Sequence, residues 1–155
     1  PVPTDGDYSI FIDYAVTPDA IENVLTTLRG IAPKRLVMLF GAGGDRDRKK
    51  RPIMGKLSAD IADFVIVTSD NPRTEDPMSI IEEILPGVRA GKAPYKVICD
   101  RPEAIRWAID HHEPGDVILL CGKGHEDYQI IGHEKIHMDE REIVADYLAE
   151  RAKRT

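Results

Sequence analysis

The chain has 155 residues, a net charge of −6 and a pI near 5.4. One domain of this size buries about two thirds of its unfolded surface, so it needs no disulfide or metal staple to fold. The acidic balance argues against a nucleic-acid partner and no apolar run approaches membrane-spanning length, so a cytoplasmic domain with no nucleic-acid or membrane contact is expected.

In chain order, residues 9–12 read as a strand, Asp13 to Val16 as its exit loop, and Thr17-Pro18-Asp19 as a helix start capped by Thr17. Ile21, Val24, Leu25 and Leu28 mark that helix's apolar face, and Gly30 ends it. Residues 36–40 form a second buried strand that runs into a glycine-rich, basic stretch at 41–51, after which Pro52 opens a helix. Phe64-Val65-Ile66-Val67 is a third buried strand, and a polar loop, 68–77, leaves its carboxyl end. Asp76 caps the next helix, whose stripe is Ile80, Ile81, Ile84 and Leu85 and which Pro86-Gly87 is expected to terminate. Residues 96–99 form a fourth strand, and Asp100 with Glu103 makes a capping box for the helix carrying Ile105, Trp107 and Ile109. After Pro114-Gly115 come strand 117–120, polar loop 122–127, strand 128–131, a Gly132-His133-Glu134 turn and a last helix capped by Asp139, with Glu142 three residues on.

Strands alternating with helices of about ten to fifteen residues place the chain in the α/β class: a three-layer α/β/α, Rossmann-like domain with a mostly parallel or mixed sheet of about six strands. Cys99 and Cys121 fall at ends of core strands and read as buried free thiols in a reducing compartment. The absence of a signal peptide and of an initiator Met before Pro1 suggests a domain of a longer polypeptide, with part of its active site elsewhere.

Four loops leaving strand carboxyl ends hold most of the unusual polar residues, and open α/β sheets bind ligands there. In loop 68–77, Pro72 stiffens a stretch that carries Asn71 and Arg73, and a guanidinium fork beside a carboxamide suits a carboxylate or phosphate. The alternative is an Arg73 that merely pairs with Glu75 or Asp76. The stretch at 41–51 lacks both the Walker and the dinucleotide spacing, and its Arg46, Arg48, Lys49, Lys50 and Arg51 form a local positive patch whose 48–51 part reads best as a solvated charge run. Glu126, at the rim of a cleft otherwise rich in arginine, suits a ligand ammonium or an internal ion pair. His133 and His137 sit on a turn rather than a shared helix face, so no metal site is expected; His111 and His112 close a helix, and His125 is either structural or an acid/base group. No nucleophile, base and orienter combine into a self-contained catalyst.

Asp13-Tyr14-Ala15-x-Thr17-Pro18, Gly43-Gly44-Asp45-Arg46-Asp47 with Lys50-Arg51-Pro52, Asp70-Asn71-Pro72-Arg73 and Gly122-Lys123-Gly124-His125-Glu126, in this order, resemble the C-terminal domain of the Mur ligases, specifically those that add meso-diaminopimelate. The resemblance covers nearly the whole chain. It implies that residues 1–155 are the amino-acid-binding domain and that the family's N-terminal UDP-sugar domain and central ATPase domain, with its P-loop, Mg²⁺ sites and carbamylated lysine, lie outside this chain. It further implies an ATP-dependent ligase of peptidoglycan biosynthesis, acting on UDP-MurNAc-L-Ala-D-Glu through an acyl phosphate that an amine of meso-diaminopimelate attacks. By motif position, Arg46, Asp70, Asn71, Pro72, Arg73, Gly122 and Glu126 are expected around meso-diaminopimelate and Asp13 near the ATP ribose, with no catalytic residue or metal ligand in this domain. Val16 stands where the family usually has His. A superfamily member taking lysine or glutamate is one alternative, against which Arg73 argues by asking for a second substrate carboxylate; a non-catalytic nucleotide- or anion-binding module is another.

Overall fold

The computed structural model describes residues 1–31 and 33–154. Among them the order is β1 (Tyr8–Asp13), α1 (Pro18–Arg29), β2 (Arg35–Phe40), α2 (Lys50–Ile61), β3 (Phe64–Val67), α3 (Pro77–Ala90), β4 (Tyr95–Val97), α4 (Arg101–Asp110), β5 (Asp116–Cys121), β6 (Tyr128–Ile131), β7 (Glu134–His137) and α5 (Glu140–Lys153). The first five strands form one sheet in the order β1-β5-β2-β3-β4, and every pairing in it is parallel.

Topology dictates the layers. The steps from β1 to β2, β2 to β3 and β3 to β4 all run the same way across the sheet, so right-handed crossovers put α1, α2 and α3 on one face. The return from β4 to β5 reverses direction and puts α4 on the other, where α5 joins it. Residue alternation follows: Leu36, Met38 and Phe40 of β2 pack beneath α1–α3, while Val37 and Leu39 pack beneath α4 and α5.

Four of the five helix starts are those the sequence implies, while α2 begins at Lys50, two residues before Pro52, without a side-chain cap. Thr17, Asp76, Asp100 and Asp139 each accept a backbone N–H of their own first turn, at 3.2, 3.1, 3.1 and 2.9 Å. Glu142, though, takes His137 Nε2 at 2.6 Å.

Two further expectations change. Helix α3 does not stop at Pro86-Gly87 but continues to Ala90. Ile84, Leu85 and Val88 carry its buried stripe across the proline, and Gly87 lets α3 meet α2 so closely that a Cβ there would lie 1.8 Å from the Pro52 carbonyl oxygen. Packing outweighs the proline's cost of about 3 kcal/mol. The strand at 128–131 does not join the main sheet either; it pairs antiparallel with β7 in a separate hairpin, turned by Gly132 at φ 63°. The exposed sequence Glu134-Lys135-Ile136-His137 carries little strand signal by itself.

Candidate functional site

The loops after β1, β2, β3 and β5 meet in one cleft of about 390 Å³, lined by residues that include Tyr14, Val16, Thr17, Arg46, Lys50, Arg51, Asn71, Arg73 and Glu126. Arg46, Asn71, Arg73 and Glu126 line it together, whereas Asp13, Asp70, Pro72 and Gly122 are not among its lining residues.

Arg73 has a left-handed backbone, φ 52°, which costs a non-glycine residue about 1 kcal/mol or more. Its N–H donates to Ile130 O at 3.0 Å and its carbonyl accepts from Gly132 N at 2.6 Å, so the β6–β7 hairpin holds it there. The guanidinium donates to Gly44 O at 3.0 Å and Asn71 O at 3.4 Å, and no carboxylate pairs with it among the described residues. Arg46 is exposed and donates to its neighbour's carbonyl, Asp45 O, at 3.0 Å. The internal ion pair considered for Arg73 is made by another residue: Arg51 meets Glu75 at 2.7 and 3.1 Å.

Arg51 therefore departs from the solvated run expected at 48–51. It is 1% exposed and also donates to Gly43 O at 3.0 Å, tying the glycine-rich loop to the loop after β3. Arg48 pairs with Glu83 at 2.5 Å on the surface, while Lys49 and Lys50 are solvated. The Arg51 guanidinium and the Asp45 N–H hold the Glu75 carboxyl down at about 2. Gly44 donates to Asn71 O at 2.7 Å, and a Cβ on it would meet the Pro72 carbonyl at 1.8 Å, so Pro72 serves as the floor on which the glycine loop rests.

Beneath Glu126 lies Lys123, wholly buried, whose Nζ donates to Asn71 Oδ1 at 2.5 Å and Glu126 Oε1 at 3.0 Å. Asp70 Oδ1 lies 3.3 Å from the same ammonium without hydrogen-bond geometry. Glu126 also accepts from Tyr14 Oη at 2.8 Å. Burial would raise the Glu126 pKa, but the Tyr14 hydroxyl, the Lys123 ammonium and the Asn71 amide together hold it below the ordinary value. Gly122, at φ 113°, needs to be glycine, and its N–H donates to Asp13 O at 2.9 Å, joining the ends of β1 and β5. The Asp13 carboxylate accepts from Ala15 N at 2.9 Å, shaping its own loop; from that loop Tyr14, Val16 and Thr17 reach the cleft wall.

The family model described as Mur ligase, glutamate ligase domain, matches residues 1–124 of this chain. The chain belongs to the Mur ligase family. Relatives named UDP-N-acetylmuramoyl-L-alanyl-D-glutamate–2,6-diaminopimelate ligase include one from Caldanaerobacter subterraneus, 53% identical over 99% of this chain and 32% of its own length. Another, from Trichormus variabilis, is 56% identical over 96% of this chain and 30% of its own. A solved structure of a ligase with that name superposes with a TM-score of 0.91 at 40% identity, covering 98% of this chain and 31% of that one. The chain thus spans about a third of the length of the curated relatives it matches.

Three residues of this Mur ligase domain that support the site were given no role from the sequence. Arg101, wholly buried, donates to Ser69 O at 3.0 Å and Cys121 O at 2.9 Å, clamping the loops that leave β3 and β5, and pairs with Glu140 at 2.9 Å. An Arg at a capped helix start looks like an ordinary surface residue in sequence. Lys123 sits between two glycines directly after a core strand, which was the available sign of burial. Gln129 donates to Ser69 Oγ at 2.8 Å and Asp70 O at 2.5 Å, fastening the hairpin to the β3 loop. His125 is exposed and accepts from Arg141 at 2.7 Å. Both thiols are free; burial pushes Cys121 up to about 12, and Cys99 is half-buried. No group of three or more His, Cys, Asp or Glu side chains among the described residues could hold a metal, and no helix among them is long and apolar enough to cross a membrane.

Proposed function

We propose that this Mur ligase domain is the C-terminal, amino-acid-binding unit of an ATP-dependent ligase that joins meso-diaminopimelate to UDP-MurNAc-L-Ala-D-Glu in peptidoglycan biosynthesis. The observation that carries the proposal is the pair of cleft guanidinium groups, Arg46 and Arg73, whose internal partners are backbone carbonyls only. Two guanidinium forks without an internal carboxylate suit an amino acid that carries two carboxylates, and the Glu126 carboxylate across the same cleft suits an ammonium. The names of the relatives reported above support the same substrate.

In this reading ATP phosphorylates the D-glutamate side-chain carboxyl in the preceding domains, the diaminopimelate amine attacks the acyl phosphate, and phosphate leaves as the amide forms. The phosphoryl transfer and the Mg²⁺ that serves it are assigned in this reading to those domains. This domain supplies orientation: carboxylates held by arginines on loops clamped to strand ends place the amine in line with the acyl carbon, the kind of positioning that makes an intermolecular attack effectively unimolecular. Asp13 is proposed to approach the ATP ribose when the domain closes.

The test is discrimination between meso-diaminopimelate and lysine, which lacks the distal carboxylate. With lysine bound, Arg73 is left half-buried without its partner, and a site built around such a contact rejects analogues by up to about 10⁴-fold. Arg73→Ala in the full-length ligase should raise the KM for meso-diaminopimelate and shrink the ratio of the two kcat/KM values. An unchanged ratio refutes the assignment.

A further inference from the structure

We infer that Lys123 is a positioning residue for amino-acid selection, its buried ammonium setting the orientation of the Asn71 amide and of the Glu126 carboxylate beneath the cleft. The inference rests on the amino-acid-binding reading of that cleft and deepens it.

The two ends of an Asn amide are opposite in hydrogen-bonding sense, and only their partners decide which faces a ligand. Here Asn71 Oδ1 accepts from both Lys123 Nζ at 2.5 Å and Ile130 N at 2.9 Å, which occupies both of its lone pairs. The NH₂ end is thereby turned toward Glu126, with Nδ2 at 3.5 Å from Oε1, and toward the cleft that Asn71 lines. It presents donors where a carboxylate ligand needs them. A flipped amide would present its oxygen there and oppose the ligand.

The same ammonium settles the local charge. Lys123 lies 3.0 Å from Glu126 and 3.3 Å from Asp70, so one cation faces two carboxylates and a single negative charge remains. A ligand ammonium at Glu126 would complete the balance. Lys123 itself is not part of the cleft wall; it is wholly buried, with the Tyr128 ring 5.4 Å from its Nζ. Replacing a whole buried ion pair by apolar residues often stabilises a fold, so stability alone is a weak reason for this cluster, although removing Lys123 by itself strands Asp70 and Glu126. Lys123 acts through Asn71 and Glu126 rather than on the substrate.

The experiment is steady-state kinetics of the full-length ligase carrying Lys123→Met, with Arg73→Ala in parallel and melting temperatures for both. The expected result for Lys123→Met is a KM for meso-diaminopimelate raised roughly tenfold or more, with the KM for ATP within about twofold of wild type. A merely structural lysine would lower the melting temperature and the active fraction, and hence the apparent kcat, while leaving both KM values in place. If Lys123→Met does not fold, Asp70→Asn with Lys123→Met removes one buried charge of each sign and restores the local balance. Asn71 still loses its Oδ1 donor in that double variant, so the KM for meso-diaminopimelate should stay high. A wild-type KM in the foldable lysine variant, with Arg73→Ala impaired, overturns the role of Lys123 and leaves the proposed function standing. An Arg73→Ala enzyme with unaltered KM and selectivity overturns both.

Discussion

Glu75 joins three parts of the site: it accepts from Arg51 at 2.7 and 3.1 Å and from Asp45 N at 2.6 Å, and its carboxyl is held at about 2 rather than the ordinary 4.5. A folded-state pKa depressed in this way contributes stability that is fully present above the unfolded value and is lost as pH falls from about 4.5 through about 2. Glu75→Gln should therefore cost about 1–2 kcal/mol at pH 7, after allowance for its partial exposure, and the difference from wild type should fade in urea melts taken below pH 4. A penalty of equal size at both pH values would mean that the charge is not what matters. At Cys121, burial raises the thiol to about 12, so the native protein at pH 8 should resist iodoacetamide at that position and react only in denaturant. Mass spectrometry of the alkylated peptides separates it from half-buried Cys99.

Helices α2 and α3 approach closely, with Gly55 against Ile84 O and Gly87 against Pro52 O. Gly87→Ala forces a Cβ to within 1.8 Å of that oxygen unless the helices separate, so it should cost about 2–3 kcal/mol and lower Tm by about 5–10 °C in calorimetry. Arg101→Leu should be worse, at about 3–5 kcal/mol, because it strands Glu140 in the core and frees the ends of β3 and β5. These cases mark where sequence is and is not a guide. Strands β1, β2, β3 and β5 were legible from their short apolar runs, whereas β4 is the mostly exposed Tyr95–Val97 and not the 96–99 read for it; the caps were legible because Thr17, Asp76, Asp100 and Asp139 obey local chemistry. The continuation of α3 through Pro86 was not legible, since it depends on α2 lying alongside. Nor was β7, whose partner strand and not its composition makes it a strand. In the site, Arg73 and Glu126 stood out by residue type, whereas Arg51, Arg101 and Lys123 have roles set by burial, which charge in a sequence conceals.

At the scale of the whole molecule, the parallel sheet brings four loops from positions far apart in the chain to a single edge, and clamps made by Arg51, Arg101 and Lys123 hold them there. The result is a cleft rich in guanidinium groups, with neither a Walker lysine nor a metal cluster among its described residues. The 155-residue chain alone should accordingly show no ATP hydrolysis above the uncatalysed rate in a phosphate-release assay, and turnover by it would place phosphoryl chemistry in this domain after all. The central claim, that the Arg46–Arg73–Glu126 cleft holds a dicarboxylic diamino acid, is tested most directly by a crystal structure with meso-diaminopimelate bound. A ligand carboxylate should lie within hydrogen-bond distance of the Arg73 guanidinium, with Asn71 Nδ2 donating to the ligand and an ammonium against Glu126. A diaminopimelate seated elsewhere, or one whose carboxylates avoid Arg73, would contradict it.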